Sequence, residues 1–164
     1  MTTDQFDLWL HLLGLATYFG ASVYLLIGVL PAARKIAGTA ARQSFLALHF
    51  KTYNPLTIGA LGVQVMTGAF NLTGYKAVLR AEFYDKIGYL LVWKLALVFL
   101  LIMTATYISF GIGLRIVRHE QSNEQLGEEK LTSMQKRLNG PLILVLILTA
   151  ITTWISLKIS RPLL

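Results

Sequence analysis

The chain contains no cysteine. That excludes disulfides, cysteine-ligated zinc, iron–sulfur clusters and covalently attached c-type haem. Charge is scarce too: 14% of the residues are charged, against about a quarter in a soluble globular domain. There is no internal repeat or low-complexity run, and no Walker loop, dinucleotide fingerprint or metalloprotease helix. Nucleotide-dependent chemistry and zinc proteolysis therefore have no motif to rest on.

What is present is apolar. Hydrophobic residues make up 55% of the 164 positions, and mean hydropathy is +0.59. Four long apolar stretches fall roughly at 7–32, 55–72, 87–114 and 140–157. Each reaches or approaches the ~20 residues that carry a helix across a bilayer's hydrocarbon core. Outside closed barrels, only helices satisfy every backbone polar group in lipid. The expected fold is an all-α, integral membrane four-helix bundle, one domain over 1–164, with helices near 6–34, 46–73, 84–118 and 133–159. The N-terminal "MTTDQFD" is acidic and lacks the basic region of a secretory signal, so the first helix is read as retained.

The net charge of +7 is distributed toward the helix ends, so topology accounts for it and no nucleic-acid partner is expected. Arg34, Lys35, Arg42, Lys51, Arg115, Arg118, Lys130, Lys136 and Arg137 lie in or beside the first and third loops. Lys76, Arg80, Lys86, Lys158 and Arg161 lie in the second loop and the tail. Nine against five places loops one and three in the cytoplasm and both termini outside. In the loops, "NLTGYK" is expected to end the second helix at Gly74. "HEQSNEQLGEEK" is expected to be a solvated turn or helical extension.

Polar residues inside the spans carry the functional information, because a lipid-facing surface has no use for them. At helical spacing, His11, Gly14, Tyr18, Ala21, Ser22 and Leu25 share one small or polar face of the first helix. Thr57, Ala60, Gln64, Thr67, Gly68 and Asn71 form a second such stripe. Thr149, Thr152, Thr153 and Ser156 form a third. Lys94 stands about ten residues in from its helix end, ~15 Å deep and beyond easy snorkelling. With the topology above, these residues converge on one pocket in the outer half of the bundle, where Gly14 leaves room for something flat. His49 and His119 sit at the opposite ends of their helices. They are the alternative candidates for a separate metal or haem site, nearly a bilayer thickness from His11.

"HLLGLATYFGASVYL", "NPLTIGALGVQVMTGAFNL", "GYLLVWKLALVFLL" and "LNGPLILVLILTAI" together resemble the CopD/HemJ-type membrane proteins. The resemblance covers most of the chain. It consists of a first-helix His, a Pro entering the second helix, a third-helix Lys, and Leu-Asn-x-Pro opening the fourth. It implies b-type haem, with His11 as axial iron ligand and Lys94 as second ligand, propionate partner or catalytic residue. Lys94 ligates only when deprotonated. Gly14, Tyr18, Gln64 and Asn71 would shape the haem pocket. The implied activity is redox chemistry linked to quinone or a porphyrinogen in a bacterial inner membrane. The chain would act as an oxidoreductase like the HemJ-type protoporphyrinogen oxidases, or as a homo-oligomer or subunit of a larger respiratory complex.

The family pattern also expects an arginine soon after the first aromatic cluster and a further histidine. "YLLIGVLPAARK" lacks that histidine and displaces the arginine to Arg34. Copper transport of the CopD kind is the alternative, but Met66, Met103 and Met134 show no repeated spacing for a soft-ligand path. A cofactor-free assembly subunit, with the stripes serving as interhelical glue, is the third reading.

Overall fold

The computed structural model describes residues 3–160, which leaves Arg161 of the tail outside the described residues. Among the described residues every regular element is helical. Helix α1 spans 3–35 and joins Thr3–Val23, a π-helical segment Tyr24–Val29 and Leu30–Lys35. Helix α2 is Thr39–Leu79. Helix α3 spans 80–121, opening on a 3₁₀ turn Arg80–Glu82 and a π segment Tyr84–Gly88. It continues as Tyr89–Thr106, a second π segment Tyr107–Gly113, and Leu114–Gln121. Helix α4 is Glu128–Ser160.

Within these helices, Gln5–Lys35, Thr39–Gly74, Arg80–Gln121 and Glu128–Ile159 are each long and apolar enough to cross a membrane. Outward-facing Trp9, Phe19, Ile27, Met66, Val92, Phe99, Ile147 and Trp154 make a surface suited to lipid contact.

The helices overrun the expected boundaries. Helix α2 begins at Thr39 rather than near 46 and continues through Gly74 to Leu79. Its 41 residues correspond to about 60 Å, twice the ~30 Å hydrocarbon core and longer than one crossing needs. Pro55 lies inside α2 rather than at its entry, and Pro141 lies inside α4 rather than at its start. Gly74 meets no atom that requires a glycine there, and the helix runs on through it. The chain instead turns at Arg80, which takes φ +49°.

The three π segments share a spacing: Tyr24-x-x-x-Gly28, Tyr84-x-x-x-Gly88 and Tyr107-x-x-x-Gly111. In each, the tyrosine side chain lies over its glycine. A Cβ at Gly28 would meet the Tyr24 ring at 3.2 Å, and one at Gly111 the Tyr107 ring at 3.1 Å. Widened π turns accommodate an extra residue and recur at functional positions.

Packing divides the bundle along its length. A large apolar core fills the half nearest loops one and three, from Tyr18, Ala60, Leu101 and Leu148 down to Leu46, Ile116 and Leu131. A small cluster of Phe83, Ile87 and Ile159 closes the opposite end. Between them the inward positions are His11, Gln64, Thr67, Asn71, Lys94, Thr152 and Thr153. In this band α1 packs on α2 and α3 on α4, with α1 also touching α4.

The α3–α4 connection is held by a residue absent from the sequence reading. Gln43, 2% exposed, donates from Nε2 to the Glu124 carbonyl (3.0 Å) and the Glu120 carboxylate (3.1 Å). Its Oε1 accepts from the Leu126 N–H at 2.8 Å. The expected solvated turn is therefore short, and it is anchored by the buried Leu126 side chain.

Candidate functional site in the polar band

His11 reaches the band from the third turn of α1 and stays half-buried against α2. Its Nδ1 lies 2.8 Å from Thr67 Oγ1. The Thr67 hydroxyl also reaches the Val63 carbonyl at 2.7 Å. A hydroxyl has one proton, so it donates to one of the two. With that proton on Val63, Nδ1 carries the imidazole hydrogen; with it turned to the ring, Nδ1 carries the lone pair, so the contact couples the tautomer to Thr67. Main-chain Gln64 supplies a further acceptor beside the ring, and Gly68 lies 3.7 Å from His11 Cε1 at its Cβ position.

Lys94 is half-buried within electrostatic range of His11. It has no hydrogen bond or ion pair among the described residues. Its α3 segment packs on α4, so the cation stands across from the α1–α2 pair. A half-buried ammonium without a counter-ion is costly, and such residues are retained where something charged must be met.

The other expected pocket residues divide. Gln64 is present, with its buried Nε2 unpartnered among the described residues. Asn71 is half-buried one turn beyond Thr67. Gly14 is not open space: a Cβ there would stand 3.1 Å from the Ala60 carbonyl oxygen and 3.2 Å from Gln64 Cγ. The room it makes is taken by α2. Tyr18 is 1% exposed and belongs to the core, with its hydroxyl near Tyr53 and without a partner among the described residues. Tyr53 Oη lies 3.5 Å from Ser22 Oγ, which donates to the Tyr18 carbonyl. Tyr53 was missed in the sequence, although it extends the α2 stripe one turn back from Thr57.

The α4 stripe contributes acceptors only. Thr149, Thr152, Thr153 and Ser156 donate to the carbonyls of Val145, Leu148, Thr149 and Thr152. Their protons are used within the helix, leaving lone pairs toward neighbours.

His49 and His119 form no joint site. His49 Nδ1 donates to the Phe45 carbonyl, and its ring packs against Tyr24 and Phe45. His119 Nδ1 meets Glu124 Oε2 at 3.0 Å. The described residues contain no group of three or more His, Asp or Glu side chains placed to hold a metal ion. A metal at His11 would thus need most of its ligands from elsewhere. Arg34, the displaced arginine, donates to Asn139 of the Leu-Asn-x-Pro stretch at 3.2 Å.

No family model, curated protein or solved structure matches this chain. The class is therefore stated from the fold: an all-helical protein with four helices long and apolar enough to cross a membrane.

Proposed function

We propose that this is a multi-pass membrane protein of redox function that binds b-type haem in the polar band, between the α1–α2 and α3–α4 pairs. The observation that carries the reading is the His11–Thr67–Val63 chain, which holds the ring by Nδ1 and suits a tautomer with its lone pair on Nε2. Neutral imidazoles with the second nitrogen fixed by an outer partner are the usual metal-ligating form. A porphyrin supplies four of the iron ligands itself, which meets the lack of a three-residue metal cluster. Its carboxylates would give Lys94 the anion it lacks. Gln64 Nε2 is a further donor at the same level.

When bound, the haem would supply one-electron chemistry, with its potential set by axial ligand and polarity. His11 holds the iron, Thr67 fixes the ring, and Lys94 binds a carboxylate of the macrocycle or of an acidic substrate. Quinone- or porphyrinogen-linked electron transfer of the CopD/HemJ type follows from the sequence resemblance. A bacterial inner membrane follows from the same resemblance, and outward termini follow from the nine-to-five division of Lys and Arg between the loops. Copper binding gains no support from the ligand set.

The test is an absorption spectrum and a pyridine-haem assay on protein expressed with haem available. A Soret band that is lost in His11→Ala and kept in His49→Ala is expected. Folded protein without haem would sink the proposal.

A further inference from the structure

A cavity of about 820 Å³ opens between α3 and α4 at the end nearest loop three, far from the polar band. Its rim carries Arg115, Lys130 and Arg137, with Glu129 as the one carboxylate of the lining. None of these three cations has a hydrogen bond or ion pair among the described residues. The neighbouring His119 is turned to Glu124, and Arg42 to Glu128. The deeper α3 wall is apolar, formed by Tyr107, Gly111 and Ile112, with Met134 of α4 beside the cations. Along α3, Tyr107 lies about 12 Å further from the loop than Arg115. The α3 wall therefore changes from cationic to apolar away from the loop, while on α4 Arg137 faces the level of Ile112 and Gly111.

The π segment helps to build it. Tyr107 and Gly111 belong to the widened turn, and the Tyr107 ring lies across Gly111 on the cavity wall.

We infer that this cavity is a binding site for one anionic phospholipid of the leaflet facing loops one and three. Its phosphate would lie among Arg115, Lys130 and Arg137, and its acyl chain against Ile112 and Tyr107 of α3. Charge complementarity selects the occupant. Three unpaired cations call for an anion, and the apolar α3 wall below Arg115 calls for an attached chain. Basic pockets between helices at a membrane surface bind anionic headgroups in this manner. This inference does not depend on the haem reading.

The experiment is native mass spectrometry of the full chain released from membranes of equimolar phosphatidylglycerol and phosphatidylcholine. One retained phosphatidylglycerol is expected, with each cation contributing about fivefold to the preference. The combined variant R115Q/K130Q/R137Q should bring the preference close to one. The control K35Q/K51Q/R118Q removes equal charge from the same end of the protein and should keep it. Equal retention of both lipids by the unaltered chain overturns the inference and needs no variant to fold. So does an equal loss in the control. Inorganic phosphate and glycerol phosphate form the second arm. Displacement of the lipid by millimolar concentrations of either would make this a soluble-phosphate site and would also overturn the inference.

Discussion

His11 Nδ1 and Thr67 Oγ1 lie 2.8 Å apart, and the same hydroxyl reaches the Val63 carbonyl. This one contact couples the imidazole tautomer to Thr67, which acts through His11 and is a positioning residue. Thr67→Val preserves shape and removes the acceptor, whereas Thr67→Ser keeps it. Loss of an outer partner typically costs a metal-ligating histidine roughly 10–100-fold in affinity. Haem titration should show that loss in the valine variant and near-normal binding in the serine variant. Nitrogen NMR of labelled His11 should show the tautomer mixture change in Thr67→Val alone, with no haem present. An unchanged spectrum there would remove Thr67 from the mechanism.

Helices α2 and α3 meet at Gly113, where only hydrogen fits. A Cβ there would stand 2.6 Å from Phe50 Cδ1 and 2.9 Å from Asn54 Oδ1. Phe50 is fully buried and cannot swing away. Gly113→Ala should destabilise the protein by about 1–3 kcal/mol through overpacking. Gly59→Ala, in a helix interior with nothing within 4 Å, should be neutral or stabilise by roughly 0.5–1 kcal/mol. Thermal unfolding in detergent separates the two, and similar melting temperatures would contradict the contact.

Gln43 gives the α3–α4 turn its shape by meeting Glu120, Glu124 and Leu126 at once. Gln43→Leu fills the same volume but leaves the Leu126 N–H and Glu124 carbonyl without partners. The cost should be about 1–3 kcal/mol, localised to the turn. Hydrogen exchange at 122–127 should rise by one to two orders of magnitude while the centre of α2 is unaffected. Uniform acceleration would mean that Gln43 supports the whole bundle instead.

The sequence made the four spans and their inward stripes legible, because lipid leaves the backbone no alternative and gives outward polar residues no partner. Thus His11, Gln64 and Thr67 do meet in one band. The helix ends were not legible. Residues 39–45 and 128–132 are too polar to register as membrane spans, yet they belong to the same continuous helices. Gly74 and Pro55 carried stop and start signals that tertiary packing overrides within α2. Glycine is ambiguous in the same way: Gly14 reads as empty space in one helix alone and as a helix contact once α2 is present. Gln43 sits in a polar stretch with no period to distinguish it. The π segments have no hydropathy signature, although the repeated Tyr-x-x-x-Gly spacing marks all three.

That spacing allows a graded comparison. Gly111→Ala sets a methyl 3.1 Å from the Tyr107 ring, whereas Gly88→Ala places it 3.7 Å from Tyr84 Cβ. The first must displace an aromatic ring and should cost roughly 1 kcal/mol or more, while the second should be nearly silent. Equal melting temperatures for the two variants would show that the ring yields freely.

Lys94 separates stability from function. A half-buried ammonium without a counter-ion lowers the stability of the ligand-free protein, and only an incoming anion offsets it. Lys94→Met keeps the length of the side chain and removes the charge. The ligand-free variant should therefore be more stable than the parent, by on the order of 1 kcal/mol or more, the scale of a desolvated charge. The same variant should lose affinity for haem, and the loss should shrink when the haem carboxylates are esterified. Thermal unfolding without ligand and titration with haem and its dimethyl ester supply both readings. A Lys94→Met protein that is less stable without ligand would mean that the ammonium already has a structural partner. It would then not be waiting for an anion, and the polar band would be glue between helices.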